Sequence, residues 1–206
     1  MTSAKYDNMP KDILVLLQES EKKKLEGQHQ EAVFLAEKAL SIDPVCIEAL
    51  EEIADNYLAL NKIKKAYEAA SFAYELNYNS YTALYILGFI ESRKSNFKKA
   101  IKYLEQSNEL KPNNSEILRA LGWAYFMENK RVKGIVILKR ALNLNNEDTM
   151  ILCDLGICYI KENNPNKALE LFYRAIELNP NDKRIQECIR IAEEVKGLQS
   201  TNLNSN

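Results

Sequence analysis

The chain has 206 residues, 46% of them hydrophobic, and a formal net charge of −1. This suits a folded chain with a core, and it excludes a global electrostatic attraction to nucleic acid or to a membrane surface. No apolar run reaches the roughly 18 residues a membrane-spanning helix needs, and the opening Met1–Asp7 stretch lacks the apolar block of a signal peptide, so a cytoplasmic location is expected.

In chain order, residues 1–12 are polar, with Pro10 as punctuation, and read as a flexible N-terminus. From residue 13 one frame of 34 residues repeats five times without insertion: 13–46, 47–80, 81–114, 115–148 and 149–182. Gly88, Gly122 and Gly156 share one slot of this frame, and Pro44, Pro112 and Pro180 share another. Ala32, Ala66, Ala100 and Ala168 share a third, where Gly134 replaces the fourth alanine. Ala39, Ala73, Ala141 and Ala175 recur likewise, with Ser107 between them, and so do Leu16, Leu50, Leu84, Leu118 and Leu152. Tyr57, Tyr125 and Tyr159 form a further register, interrupted by Lys23 and Glu91. A fixed period of this length marks a repeat architecture.

The last unit shows the local structure best. Leu152, Leu155, Gly156 and Tyr159 lie at helical spacing, Asn163 and Asn164 interrupt, and Pro165 suits the first turn of a new helix. Ala168, Leu169, Phe172, Ala175 and Ile176 form a second stripe, which Pro180 ends. Each unit is therefore two antiparallel helices, with small residues where they approach. Alanine fills the glycine slot in the second unit, as Ala54, so Gly122→Ala is expected to be nearly neutral. Residues 183–197 continue with an amphipathic capping helix (Ile185, Cys188, Ile189, Ala192 and Val195 on one side), which Gly197 is expected to end. The remaining 198–206 is polar and predicted to be disordered.

Leu-x-x-Leu-Gly-x-x-Tyr, then Ala-x-x-x-Phe-x-x-Ala, then Pro, from Leu152 to Pro180, resembles the tetratricopeptide repeat. The resemblance covers about 13–182 and fades in the first unit, where Glu19, Ser20 and Lys23 replace the usual trio. It implies an all-α, right-handed superhelical solenoid of five tandem repeats plus the capping helix. It further implies that the first helix of each pair lines a concave groove that holds other proteins.

No residue set supports an enzyme, and no cofactor or metal is expected. His29 is the only histidine, so neither a Cys/His zinc cluster nor a Ser-His-Asp set exists. Cys46, Cys153, Cys158 and Cys188 fit no C-x-x-C pattern and read as reduced, packed thiols. The on-grid glycines lie inside helices, not in a phosphate-cradling loop.

Function must then lie on surfaces. In the resemblance, the groove-facing positions are the second, fifth, ninth and twelfth of each unit. They yield Tyr85 and Phe89, then Arg119, Trp123 and Phe126, then Ile157 and Ile160: an aromatic floor with an acidic entrance at Glu51 and Asp55. Aromatics and arginine dominate binding hot spots, and open apolar patches are rarely idle. The expected partner is an extended peptide or amphipathic helix of another protein. Self-association into a homo-oligomer and cover by the chain's own tail are the competing readings. Family members that grip a chaperone's C-terminal carboxylate use basic groove residues. Glu51 and Asp55 would repel such a ligand, which argues against that role. A third surface is a ridge of lysines near the helix-pair turns (Lys64, Lys65, Lys98, Lys99, Lys130, Arg131, Lys133 and Lys167). Spaced lysines can hold RNA phosphates, but ordinary solvated helix starts explain them better, so nucleic acid ranks last among the partners.

Overall fold

Short helices need a defined stop, and this chain supplies one at a fixed interval. Gly27, Asn61, Ser95, Asn129 and Asn163 all have positive φ, between 56° and 75°. One such residue turns the backbone out of a helix and lets the next N–H bond back to a carbonyl of the last turn. Those bonds are present, from Gln28, Lys62, Asn96, Lys130 and Asn164 to the carbonyls of Lys23, Tyr57, Glu91, Tyr125 and Tyr159, at 2.8–2.9 Å.

In the computed structural model, which describes residues 9–203, the result is eleven helices among the described residues and no strand. They are α1 (Lys11–Leu25), α2 (His29–Ile42), α3 (Ile47–Ala59), α4 (Ile63–Leu76), α5 (Tyr81–Arg93), α6 (Phe97–Leu110), α7 (Ser115–Met127), α8 (Arg131–Leu144), α9 (Thr149–Lys161), α10 (Pro165–Leu178) and α11 (Lys183–Leu203). The fold is all-α and built of helical repeats, as the sequence predicts. Side-chain caps start several helices. Ser80 Oγ accepts from the Ala83 N–H, Asn114 from Ile117, Asp148 from Met150 and Ile151, and Asn164 from Lys167.

The chain divides into two compact units, one ending at Leu110 and the other beginning at Lys111. In the first, the core gathers Ile53, Ala54, Ala70, Ile86, Leu87 and Ile90. In the second, Phe126, Leu138, Leu152, Leu155, Leu171 and Ile185 form the main cluster.

Within each hairpin the small residues fix how near the helices come. A Cβ on Gly88 would lie 2.6 Å from Leu104 Cγ, and one on Gly156 would lie 2.4 Å from the Phe172 ring. A Cβ on Gly122 would lie 2.8 Å from Leu138 Cγ, and 3.0 Å from the Gly134 carbonyl oxygen and the Leu138 backbone nitrogen. The near-neutral Gly122→Ala expectation therefore does not hold. In the second repeat Ala70 occupies the slot of Leu104, Leu138 and Phe172, so the smaller facing residue leaves room for Ala54. The two serines in small-residue slots are fully buried and satisfied: Ser20 donates to the Ala32 carbonyl at 2.9 Å and Ser107 to that of Tyr81 at 2.8 Å.

Helix α11 packs on α9 and α10, burying Ile185 and Ala192. It does not stop at Gly197 but runs to Leu203, because no positive φ turns the backbone there. The expected tail 198–206 is thus helical as far as residue 203. Residues 204–206, and 1–8 of the expected flexible N-terminus, lie outside the described residues. Among the described residues no helix is long and apolar enough to cross a membrane.

Candidate functional site

The first helices carry the residues the sequence proposes for binding, and each compact unit holds its own share. In the first unit, Tyr85 and Phe89 sit one turn apart on α5. Both are half-buried, with ring centroids 6.2 Å apart and planes tilted by 36°. Tyr85 rests against the core cluster of that unit. The acidic residues beside them on α3 are engaged. Glu51 is only 7% exposed, and its carboxylate accepts from Ser80 Oγ at 2.6 Å, so it helps fix the start of α5 instead of facing solvent. Asp55 lies 3.3 Å from Lys24 Nζ, which also meets Glu52 at 2.9 Å. Burial raises the Glu52 carboxyl above its ordinary range despite the lysine. Burial also works to lower Lys24, but Glu52 and Asp55 outweigh it and leave the ammonium raised. The acidic residues are therefore held within the fold, Glu51 by a hydroxyl and Asp55, with Glu52, by one ammonium.

In the second unit, Arg119 on α7 bonds Asp154 on α9 at 3.0 Å, and both side chains are mostly covered. Burial pushes the Asp154 carboxyl up, and the guanidinium pulls it back only in part. Trp123 is half-buried and leans on the main cluster of this unit. Phe126 corrects an expectation. It is 3% exposed and belongs to the core, because Gly134 has no Cβ and lets α8 close over it. Ile157 and Ile160 are half-buried against Leu169 and Phe172 in a cluster that also takes Ala192, Cys188 and Ile189 of α11. The chain's own last helix thus joins the surface they were expected to leave open.

The grid lysines form a different arrangement from the one their spacing alone suggests. Lys65 lies over the Tyr57 ring at 5.3 Å, Lys133 over Tyr125 at 3.9 Å and Lys167 over Tyr159 at 5.6 Å. Lys99 instead meets the Glu91 carboxylate at 3.3 Å. In the first repeat the same two slots hold Lys23 and Glu31, 3.2 Å apart. Lys23 and Glu91 therefore do not break the tyrosine register; each is matched by its partner eight residues on. Sequence reasoning took the lysines as a ridge and missed the pairing, although the reversed charges at 23 and 31 signal it. Burial opposes ionisation of Glu91, but the Asn96 amide and the charges of Lys94 and Lys99 win and hold the carboxyl below its ordinary value.

Among the described residues no group of three His, Cys, Asp or Glu side chains could hold a metal ion. The four cysteines are free thiols, and burial pushes Cys153 and Cys158 up to about 12, far from the reactive thiolate. His29 Nδ1 is 2.9 Å from the Asn56 side-chain oxygen, a bond between repeats.

Residues 81–114 and 150–182 each match a family model described as tetratricopeptide repeat. No curated protein sequence matches the chain. Among solved structures, TTC0263, a thermophilic TPR protein of Thermus thermophilus, is similar over 87% of this chain and 98% of its own, with 21% identity and a TM-score of 0.72. MamA from Desulfovibrio magneticus RS-1 is similar over 85% and 99%, at 20% identity and a TM-score of 0.64. YrrB, described as a TPR protein with an unusual peptide-binding site, is similar over 90% and 92%, at 19% identity and a TM-score of 0.61.

Proposed function

The chain belongs to the tetratricopeptide-repeat family, and on that premise we propose that it is a scaffold binding a peptide segment or helix of another protein against the exposed side of its first helices. The observation that carries this reading is the pair Tyr85 and Phe89 on α5, half-covered by the fold with their rings 6.2 Å apart. Large aromatic faces lose little side-chain entropy on binding and anchor many protein interfaces. Trp123 offers the same chemistry on α7, beside the Arg119–Asp154 pair. The peptide-binding site named for YrrB supports the reading by likeness of fold. With Glu51 buried and Asp55 bonded to Lys24, the ligand is selected by apolar and aromatic contacts more than by an acidic entrance.

The test is capture from native lysate by the wild-type chain and by a Tyr85→Ala, Phe89→Ala variant, followed by titration of the captured protein in purified form. The wild type is expected to retain a partner whose affinity falls about tenfold or more in the variant, since each central aromatic commonly contributes ~1.4 kcal/mol or above. Trp123, the only tryptophan, reports a second contact, and its emission is expected to shift to the blue on binding. Equal affinity of both forms, with unchanged emission, refutes the proposal.

A further inference from the structure

Four of the five second helices present carboxylates to solvent along the outward row of the 34-residue frame. In α2 the row reads Gln30, Phe34, Glu37, Ser41; in α4, Lys64, Glu68, Ser71, Glu75. In α6 it reads Lys98, Lys102, Glu105, Glu109, and in α10 Asn166, Glu170, Tyr173, Glu177. The corresponding row of α8 is Val132, Val136, Lys139, Asn143, and the whole helix contains no acidic residue. Lys133 and Arg140 flank the row, one turn or less from its members, and Lys130 precedes the helix.

The two valines are open to solvent. Val132 is 78% exposed and Val136 is 60% exposed, one helical turn apart. Neither is needed to build the hairpin. The packing side of α8 is made by Gly134, Leu138 and Ala141, all buried. A β-branched residue is also a weaker helix former than the Glu or Lys found in these slots elsewhere. A solvated face needs neither valine nor a single sign of charge. The strip has Lys139 in its own row and Arg140 along one flank, while Arg131 at its start is already paired with Glu162 at 2.8 Å. Apolar side chains with cations on one flank match a ligand whose apolar side chains are flanked by carboxylates.

We propose that the outer face of α8 is a second docking surface, separate from the first-helix residues above, and that it takes an acidic peptide or helix of another protein. Its apolar side chains cover Val132 and Val136, and its carboxylates meet Lys139 and Arg140, whose own contacts are the neutral Tyr159 ring and the Asn113 side-chain oxygen. RNA would use the cations and leave the valines idle. An anionic bilayer would require deeper apolar residues than two valines provide. The protein ligand is the one that uses both features.

The test uses the full chain and a fluorescent, Glu-rich synthetic peptide carrying leucine at helical spacing. Its counter-probes are the same peptide with Lys for Glu, polyuridylate, and phosphatidylserine vesicles. The acidic peptide is expected to bind, more weakly as salt rises, and the lysine peptide is not. Val132→Ser with Val136→Ser is expected to weaken binding about tenfold, the loss of ~1.4 kcal/mol of apolar contact. Lys139→Glu with Arg140→Glu is expected to abolish it and to confer binding of the lysine peptide. Both pairs are solvent-exposed and the second gives up only the surface contacts to Tyr159 and Asn113, so circular dichroism should match the wild type. Trp123→Ala and Tyr85→Ala should leave acidic-peptide binding unchanged, which separates this surface from the first-helix reading. Four outcomes overturn the proposal: absence of binding, binding indifferent to the valines, binding lost in Trp123→Ala, or binding of polyuridylate or vesicles in place of the acidic peptide.

Discussion

Gly134 stands where four other repeats have a fully buried alanine, and replacing it with alanine tests how the α7–α8 hairpin is assembled. The added Cβ would lie 2.7 Å from the Gly122 carbonyl oxygen, 2.7 Å from the Phe126 backbone nitrogen and 2.8 Å from Phe126 Cβ. Two of these three neighbours are backbone, so no rotamer change relieves the contact, and α7 and α8 must move apart. Overpacking of this kind costs typically ~1–3 kcal/mol. Better helix propensity returns up to ~1 kcal/mol, leaving a net loss of up to roughly 2 kcal/mol, with the backbone neighbours placing it toward the upper end. Separation also loosens the cover over Phe126 and reaches the main cluster of the second unit. The control is the same substitution at Gly197, inside α11, where nothing lies within 4 Å of the added methyl. There the propensity term acts alone, and a gain of about 0.5–1 kcal/mol is expected. Urea denaturation followed by circular dichroism would rank the two variants on either side of the wild type, with hydrogen exchange in Gly134→Ala faster in α7 and α8. If Gly134→Ala is as stable as the wild type while Gly197→Ala gains, the close helix contact is not what holds this hairpin.

Two more expectations follow from single residues. Ser95 holds φ 62° where the equivalent turns use glycine or asparagine, so Ser95→Gly should raise the urea midpoint, by about 0.5–1 kcal/mol of stability; a lower midpoint would mean the serine side chain is required at that turn. Glu91, whose carboxyl is held below its ordinary value of 4.5, should stabilise the fold fully above that value and progressively less as pH falls through the folded-state value. Glu91→Gln should flatten this acid limb of the stability profile and leave neutral-pH helicity intact; an unchanged acid limb would show that the carboxylate is not stabilised by Lys94, Lys99 and Asn96.

Much of the architecture could be read from the residues because the signals repeat. Turn asparagines, alternating apolar stripes and small residues all fall in one frame, and each has a local cause. The binding face was harder to read, since a position within a helix says which side a residue is on but not how near the next helix comes. Phe126 occupies a groove position by count, yet it is buried because Gly134 admits α8. Glu51 counts as an entrance carboxylate, yet Ser80 draws it inward. The end of α11 was misjudged for another reason: a glycine ends a helix only when the backbone takes positive φ there, and Gly197 stays helical.

The matched slots at the helix-pair turns set a rule for how such a chain can be rearranged. The first repeat pairs Lys23 with Glu31, and the third pairs Glu91 with Lys99, the same contact with its polarity reversed. A hybrid hairpin joining α1 to α6 would bring Lys23 against Lys99, and one joining α5 to α2 would bring Glu91 against Glu31. Hairpins that keep both of their helices carry their own complementarity wherever they are placed. Exchange of single helices between these two repeats is therefore disfavoured by like charges, whereas exchange of whole hairpins keeps each pair intact.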